Sequence, residues 1–148
     1  MDKFLELLIE KGVVKKEALK GLQEQADSSG ISLEEMLVNQ GVKEEDLVKI
    51  KAEALGFPAK FLKDQRVPLE VLKTVPEESA RYYKIIPLAV TDENVLEIGM
   101  LDPTDIKAQE AVQFIASKLN LPFKIYLIAL SDFKEVLEEY KALGAEMT

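Results

Sequence analysis

The sequence predicts an α+β protein: an N-terminal helical subdomain over residues 1–56, a linker over 57–68 and a small α/β layer over 69–148. Three observations predict it. In the first third, apolar residues recur at helical spacing, and the pattern is used twice, around Gly12 and Gly41. Near residue 85 the texture changes to short β-branched runs, IIPLAV and NVLEIGML, split by TDEN. The later runs then follow the order strand, strand, helix, strand, helix, which gives a three-stranded sheet backed by helices.

Each element has a local reason. FLELLIEK sets Phe4, Leu7 and Leu8 at helical spacing, and Gly12 follows where a helix favours a left-handed cap. VKKEALKGLQEQ repeats the spacing with Val14, Ala18, Leu19 and Leu22 on one face, and ADSSGIS reads as a polar turn. Ser32 to Glu35 has the S-x-x-E form of a capping box, so a third helix starts there, carrying Leu33, Met36 and Leu37 and stopping at Gly41. A fourth run, VKEEDLVKIKAEAL, stops at Gly56 before Pro58.

These four runs form a repeat. Phe4, Leu8, Ile9 and Gly12 match Leu33, Leu37, Val38 and Gly41 at an offset of 29. Past the glycine the offset is 28, and Lys15, Glu17, Leu19 and Leu22 match Lys43, Glu45, Leu47 and Ile50. One helix–Gly–helix unit cannot bury its own apolar stripe, so the two are expected to pack on each other.

FPAKFLKDQRVP, with two prolines and mixed charge, reads as the linker. VPLEVLKTVP allows a short helix at most, and Pro76 suits the first turn of PEESARYYK, with Thr74 or Val75 near its cap. TDEN makes a hairpin between the two strands, with Val95 set apart from Leu96, Ile98 and Met100. DIKAQEAVQFIASKL returns to helical spacing with Ile106, Val112, Ile115, Ala116 and Leu119 inward. PFKIYLIAL is the third strand, reached by a right-handed crossover, and SDFKEVLEEYKAL is a last helix capped by Ser131.

Composition narrows the chemistry. The net charge of −8 disfavours nucleic acid and anionic lipid as partners. No segment reaches the roughly 18 consecutive apolar residues of a membrane span, and the N-terminus lacks the apolar core of a signal peptide. Histidine and cysteine are both absent, which removes Ser-His-Asp triads, thiolate catalysis and His-ligated metals. No phosphate-loop pattern occurs, so the expected cofactor is none and the expected metal is none.

Asp102 and Asp105 stand out at a strand-to-helix turn, DPTD. Two carboxylates there suit a metal, a general base or a helix cap; capping is the expectation, because a helix start attracts aspartate and no phosphate cradle lies nearby. Tyr82 and Tyr83 read as an aromatic anchor with one ring partly exposed rather than a base-stacking patch. Lys60, Lys63 and Arg66 read as a small basic cluster, VKKEALKG as a solvated basic edge, and Met36 and Met100 as core filler.

Taken in order, the repeats, LGFP at 55–58, VPLEVLKTVPEESARYYKIIPL and VLEIGMLDPTD resemble the N-terminal domain of the type II secretion and type IV pilus assembly ATPases. The family pattern is met by Pro76, Ala80, Tyr83, Ile86, Pro87, Leu88, Met100, Asp102, Pro103 and Asp105. The resemblance implies a non-catalytic, cytoplasmic docking or regulatory domain. Its partners would be the inner-membrane platform protein and the family's own C-terminal ATPase domain, with no nucleic acid and no direct membrane insertion. The chain reaches Thr148 before any Walker motif, which fits that role.

One branch of the family binds cyclic di-GMP through such repeats, with R-L-G at the start of the motif. Carried over, the resemblance makes Lys3, Leu8, Gly12, Leu37 and Gly41 the candidate contacts. Here Lys3 and Ser32 replace the arginines, and Leu5 and Glu34 replace the glycines, which removes the guanidinium forks a bis-phosphate favours. An enzyme using Asp102 and Asp105 is the remaining alternative, without a tuned base beside them.

Overall fold

In the computed structural model, which describes residues 2–147 and side chains through residue 144, the chain divides into two units between Gly56 and Phe57. The first unit is helical. Asp2 starts α1 (Lys3–Glu10) by accepting from the Leu5 amide at 2.8 Å, and Ser32 starts α3 (Leu33–Asn39) by accepting from the Glu35 amide at 3.0 Å. Between and after them lie α2 (Lys16–Ser29) and α4 (Glu44–Leu55), each ended by a left-handed glycine, Gly30 and Gly56.

The two repeats pack crosswise: α1 lies against α4, and α2 against α3. Leu8, Leu19, Leu37 and Leu47 all enter one core with Val14 and Ile50, so repeat-equivalent leucines meet in the same apolar cluster. Neither repeat closes that core alone. Two expectations need correction. The ADSS stretch is helical, because Ala26 is buried and Gly30 supplies the cap further on; and Ala18 is exposed, with Leu19 and Ala26 taking the inner face of α2.

The second unit is built on a sheet of order β1-β2-β3. Strand β1 (Ile85–Val90) pairs antiparallel with β2 (Leu96–Met100), and β2 pairs parallel with β3 (Phe123–Leu127). Pro87 lies in β1, an edge strand, where a missing N–H leaves no ladder bond broken in a sheet interior. Helix α5 (Leu69–Leu72) and α6 (Glu77–Tyr83) precede the sheet. Helix α7 (Ile106–Leu119) makes the crossover between the parallel strands, and α8 (Leu130–Met147) closes the order. Ile85, Ile86, Leu96, Ile98, Val112 and Val136 are fully buried in this core.

Here too the structure amends the reading. Ile106 and Leu119 are exposed, not inward; α7 packs through Ala108, Val112, Ile115 and Ala116, a stripe with the i, i+4, i+7, i+8 spacing of one helix face. Ile106, two residues ahead of Ala108, is turned about 200° away from it. Pro76 precedes α6 as its cap, and α8 begins at Leu130, which places Ser131 inside the first turn.

Residues 57–68 are not a free linker. Leu127 of β3 donates from its amide to the Pro58 carbonyl at 2.8 Å and accepts from the Lys60 amide at 3.1 Å, so this strap adds a one-residue parallel bridge at Ala59 to the edge of the sheet. Val67 is buried, and Leu62 packs against the core of the second unit. No helix among the described residues is long and apolar enough to cross a membrane.

Candidate functional site

The glycine elbows of the first unit share one geometry. At Gly12 the Val13 amide donates to Leu8 O at 2.9 Å and the Gly12 amide to Ile9 O at 3.0 Å. At Gly41 the Val42 amide donates to Leu37 O at 3.0 Å and the Gly41 amide to Val38 O at 3.0 Å. The φ angles are 77° and 103°, a region that L side chains avoid, and a Cβ at either position would meet nothing within 4 Å. Backbone conformation, not crowding, therefore requires glycine at both elbows.

The residues proposed for a nucleotide occupy two environments. Gly12, Gly41 and Lys3 are exposed, Lys3 at the first position of α1. Leu8 and Leu37 are 0% and 2% exposed, and both side chains belong to the apolar core under the elbows. Glu34 sits in the first turn of α3, where its charge suits the helix N-terminus.

The DPTD corner is occupied by its own turn. Asp105 caps α7 by accepting from the Ala108 amide at 3.1 Å. Asp102 Oδ1 accepts from the Thr104 amide at 3.0 Å and from the Thr104 hydroxyl at 2.6 Å, an Asx turn that hands the chain to the helix. Pro103 is buried between them. The two carboxylates thus serve different backbone groups, and among the described residues no cluster of His, Cys, Asp or Glu is arranged to hold a metal ion.

One polar cluster escapes the sequence reading. Glu97, on β2, accepts from Lys60 Nζ of the strap and from the Tyr126 hydroxyl of β3 at 2.8 Å. Lys60 and Lys124 also lie over the Tyr126 ring, at 5.3 and 5.2 Å from its centroid. Burial alone would raise the Glu97 carboxyl, but the hydrogen bonds from Lys60 and Tyr126 and the charges of Lys60 and Lys124 outweigh it and hold it below its ordinary value. Burial, then the bond to Glu97, pushes the Tyr126 hydroxyl up. The available signal was a lone carboxylate inside the apolar run VLEIGML; a buried acid needs a partner.

The basic residues at 60, 63 and 66 do not act as one patch. Lys60 is engaged by Glu97; Lys63 sits exposed on a turn; Arg66 lines a shallow pocket of about 250 Å³ with Leu69, Leu72, Glu139 and Leu143. Tyr82 is 76% exposed while Tyr83 packs on the core, and their rings meet edge to face at 4.8 Å. Met36 and Met100 are buried.

Comparisons with known proteins agree on the family. The MshEN domain model matches residues 55–147, more than half of the chain. The type IV pilus assembly ATPase PilB of Myxococcus xanthus is 26% identical over 140 residues, covering 93% of this chain and 24% of that protein. PilB of Thermus thermophilus is 28% identical over 119 residues, covering 79% of this chain and 13% of that protein. The chain therefore spans only a minor part of the relatives' length. Among solved structures, MshE with cdg has a TM-score of 0.71 at 23% identity, covering 95% of this chain and 99% of that one. The N-terminal domain of XpsE has a TM-score of 0.60 at 24% identity, covering 92% of each chain. At these identities the structures establish the shared α+β fold. The sequence match, the relatives and the fold together place this chain in the MshEN domain family, the N-terminal domain of type II secretion and type IV pilus assembly ATPases.

Proposed function

We propose that the chain is a non-catalytic docking and regulatory domain, which couples a secretion or pilus assembly motor to its inner-membrane platform on the cytoplasmic side. The observation that carries this reading is the MshEN match over 55–147 in a chain that spans 24% of a pilus assembly ATPase. Two further features support it. The conspicuous carboxylates, Asp102, Asp105 and Glu97, are each engaged in holding turns, caps and strands. The charge of −8 opposes direct attraction to anionic headgroups, so a protein partner is the route to the membrane. The partners are the platform protein and a C-terminal motor domain. Calorimetric titration with the purified cytoplasmic part of the platform protein tests it. Saturable binding is expected; no heat and no complex on gel filtration at the highest soluble concentration would sink the docking role.

Cyclic di-GMP binding is the second reading, favoured by the paired elbows and by the likeness to MshE solved with cdg. Lys3, Gly12 and Gly41 are the exposed groups at hand, with Leu8 and Leu37 shaping the backbone beneath them. Against it stand Lys3 and Ser32 in place of two guanidinium forks, and the carboxylate of Glu34. A titration followed at the Gly12 and Gly41 amides decides: saturable shifts at micromolar ligand make the domain a second-messenger sensor, and a flat response at millimolar ligand removes that reading.

A further inference from the structure

Residues 57–68 are held down by an unusual set of fastenings. Among the described residues two carboxylates are buried, Glu97 at 8% and Asp132 at 9% exposure, and both face this strap. Glu97 takes the Lys60 ammonium, and Asp132 Oδ2 accepts from the Leu62 amide at 3.2 Å. Further along α8, Glu139 accepts from the Val67 amide at 3.2 and 3.4 Å through its two oxygens. Charge-assisted bonds to carboxylates thus hold the strap at three places, beside the single backbone bridge to Leu127. Its tip is strained. Gln65 N bonds Leu62 O at 2.9 Å across a tight turn whose central residues, Lys63 and Asp64, have φ of 49° and 64°. That double positive-φ turn suits Asn-Gly, not Lys-Asp.

We propose that the strap is a latch: residues 57–68 open from the second unit together while the β-sheet stays folded. The sheet is sealed by fully buried Ile85, Leu96, Ile98 and Met100, whereas in the strap only Val67 is buried and Phe57, Ala59, Phe61 and Leu62 are half-buried. Segments of that kind open at lower free energy than the core they cover. Opening uncovers Glu97, Asp132 and Glu139 together. It also frees a tether of about a dozen residues, with an end-to-end reach of roughly 20 Å if flexible. This latch stands whether or not the platform-docking reading holds.

Amide hydrogen exchange on the full chain tests it, comparing Leu62 and Val67 with Ile98 and Met100 of β2. The strap amides are expected to exchange faster than those of β2. Asp132→Asn with Glu139→Gln keeps the shapes and removes the charges, and it should speed strap exchange about tenfold while β2 is unchanged. Lys63→Asn with Asp64→Gly relieves the turn and should slow strap exchange by a similar factor, again without effect on β2. If strap and β2 amides shift together in either variant, or the strap does not respond, the latch is refuted. Should the carboxylate variant fail to fold, the turn variant decides alone.

Discussion

Gly99→Ala tests how tightly the sheet of the second unit is closed. A methyl built on Gly99 would stand 2.5 Å from Cγ2 and 3.2 Å from Cδ1 of Ile128, and 3.3 Å from Cγ1 of Ile86. Carbon atoms settle at about 3.5–4.0 Å, so Ile128 must retreat by about 1 Å. It has little room: Ile128 is 3% exposed, Ile86 is 0%, and the Ile128 amide is tied to Met100 O at 3.2 Å. Overpacking of this kind costs about 1–3 kcal/mol. Replacing glycine in a strand returns about 0.5–1 kcal/mol of backbone entropy. The 2.5 Å approach calls for the upper half of the overpacking cost, about 2–3 kcal/mol, so the expected net loss is about 1–2.5 kcal/mol. Urea unfolding followed by circular dichroism should show a lower midpoint with an unchanged slope. Ile128→Ala removes the clashing Cγ2 and alone should cost about 2–5 kcal/mol through the cavity it leaves. In the double variant the new methyl occupies part of that cavity, so its loss should fall short of the sum by about 1 kcal/mol or more. A Gly99→Ala protein within about 0.5 kcal/mol of the parent, or a strictly additive double variant, would refute the packing argument.

The other predictions concern polar closure and the elbows. Tyr140→Phe deletes a buried hydroxyl that donates toward Leu72 O at 3.1 Å and Val75 O at 2.7 Å; leaving those carbonyls unpaired should cost about 1–2 kcal/mol in urea unfolding. Glu97 has a folded-state pKa below its unfolded value of 4.5, so its contribution is complete above that pH and is lost as the pH falls through the folded value. Glu97→Gln should accordingly weaken the fall in stability below pH 4.5, as read from urea midpoints across an acid series; an unchanged acid profile would remove Glu97 from the account. Gly12→Ala and Gly41→Ala should each cost about 1–2 kcal/mol, because the left-handed backbone is required and no neighbour crowds the methyl. A marked inequality between the two would show that the elbows are not equivalent.

Much of the fold was legible because it is local. Ser32 capping α3, Gly12, Gly41 and Gly56 ending or turning helices, and the IIPLAV and LEIGM strands all follow from neighbouring residues. The elbows were legible for the same reason: a repeated glycine at fixed spacing marks a repeated left-handed turn. Asp105 as a helix cap was legible too, since the bond it makes is three residues long.

The errors fall where a long-range contact overrides local pattern. Ile106 belongs to an apolar-looking helix start, yet its direction is fixed by which face Ala108, Val112 and Ala116 present to the sheet. Residues 57–68, with prolines and mixed charge, read as a linker by composition. Their order comes from Glu97, Asp132 and Glu139, which lie 37, 70 and 72 residues away in sequence from the groups they hold.

By itself the sequence determined the element order, the twofold repeat, the exclusion of histidine and cysteine chemistry, and the family resemblance. Those depend on composition and on spacings within a helix turn or a hairpin. Tertiary structure alone decided the crosswise pairing of the repeats, the partners of the buried carboxylates and the fastening of the strap. A buried charge declares only that it needs a partner; which distant backbone amide or ammonium fills that need is settled when the chain closes on itself.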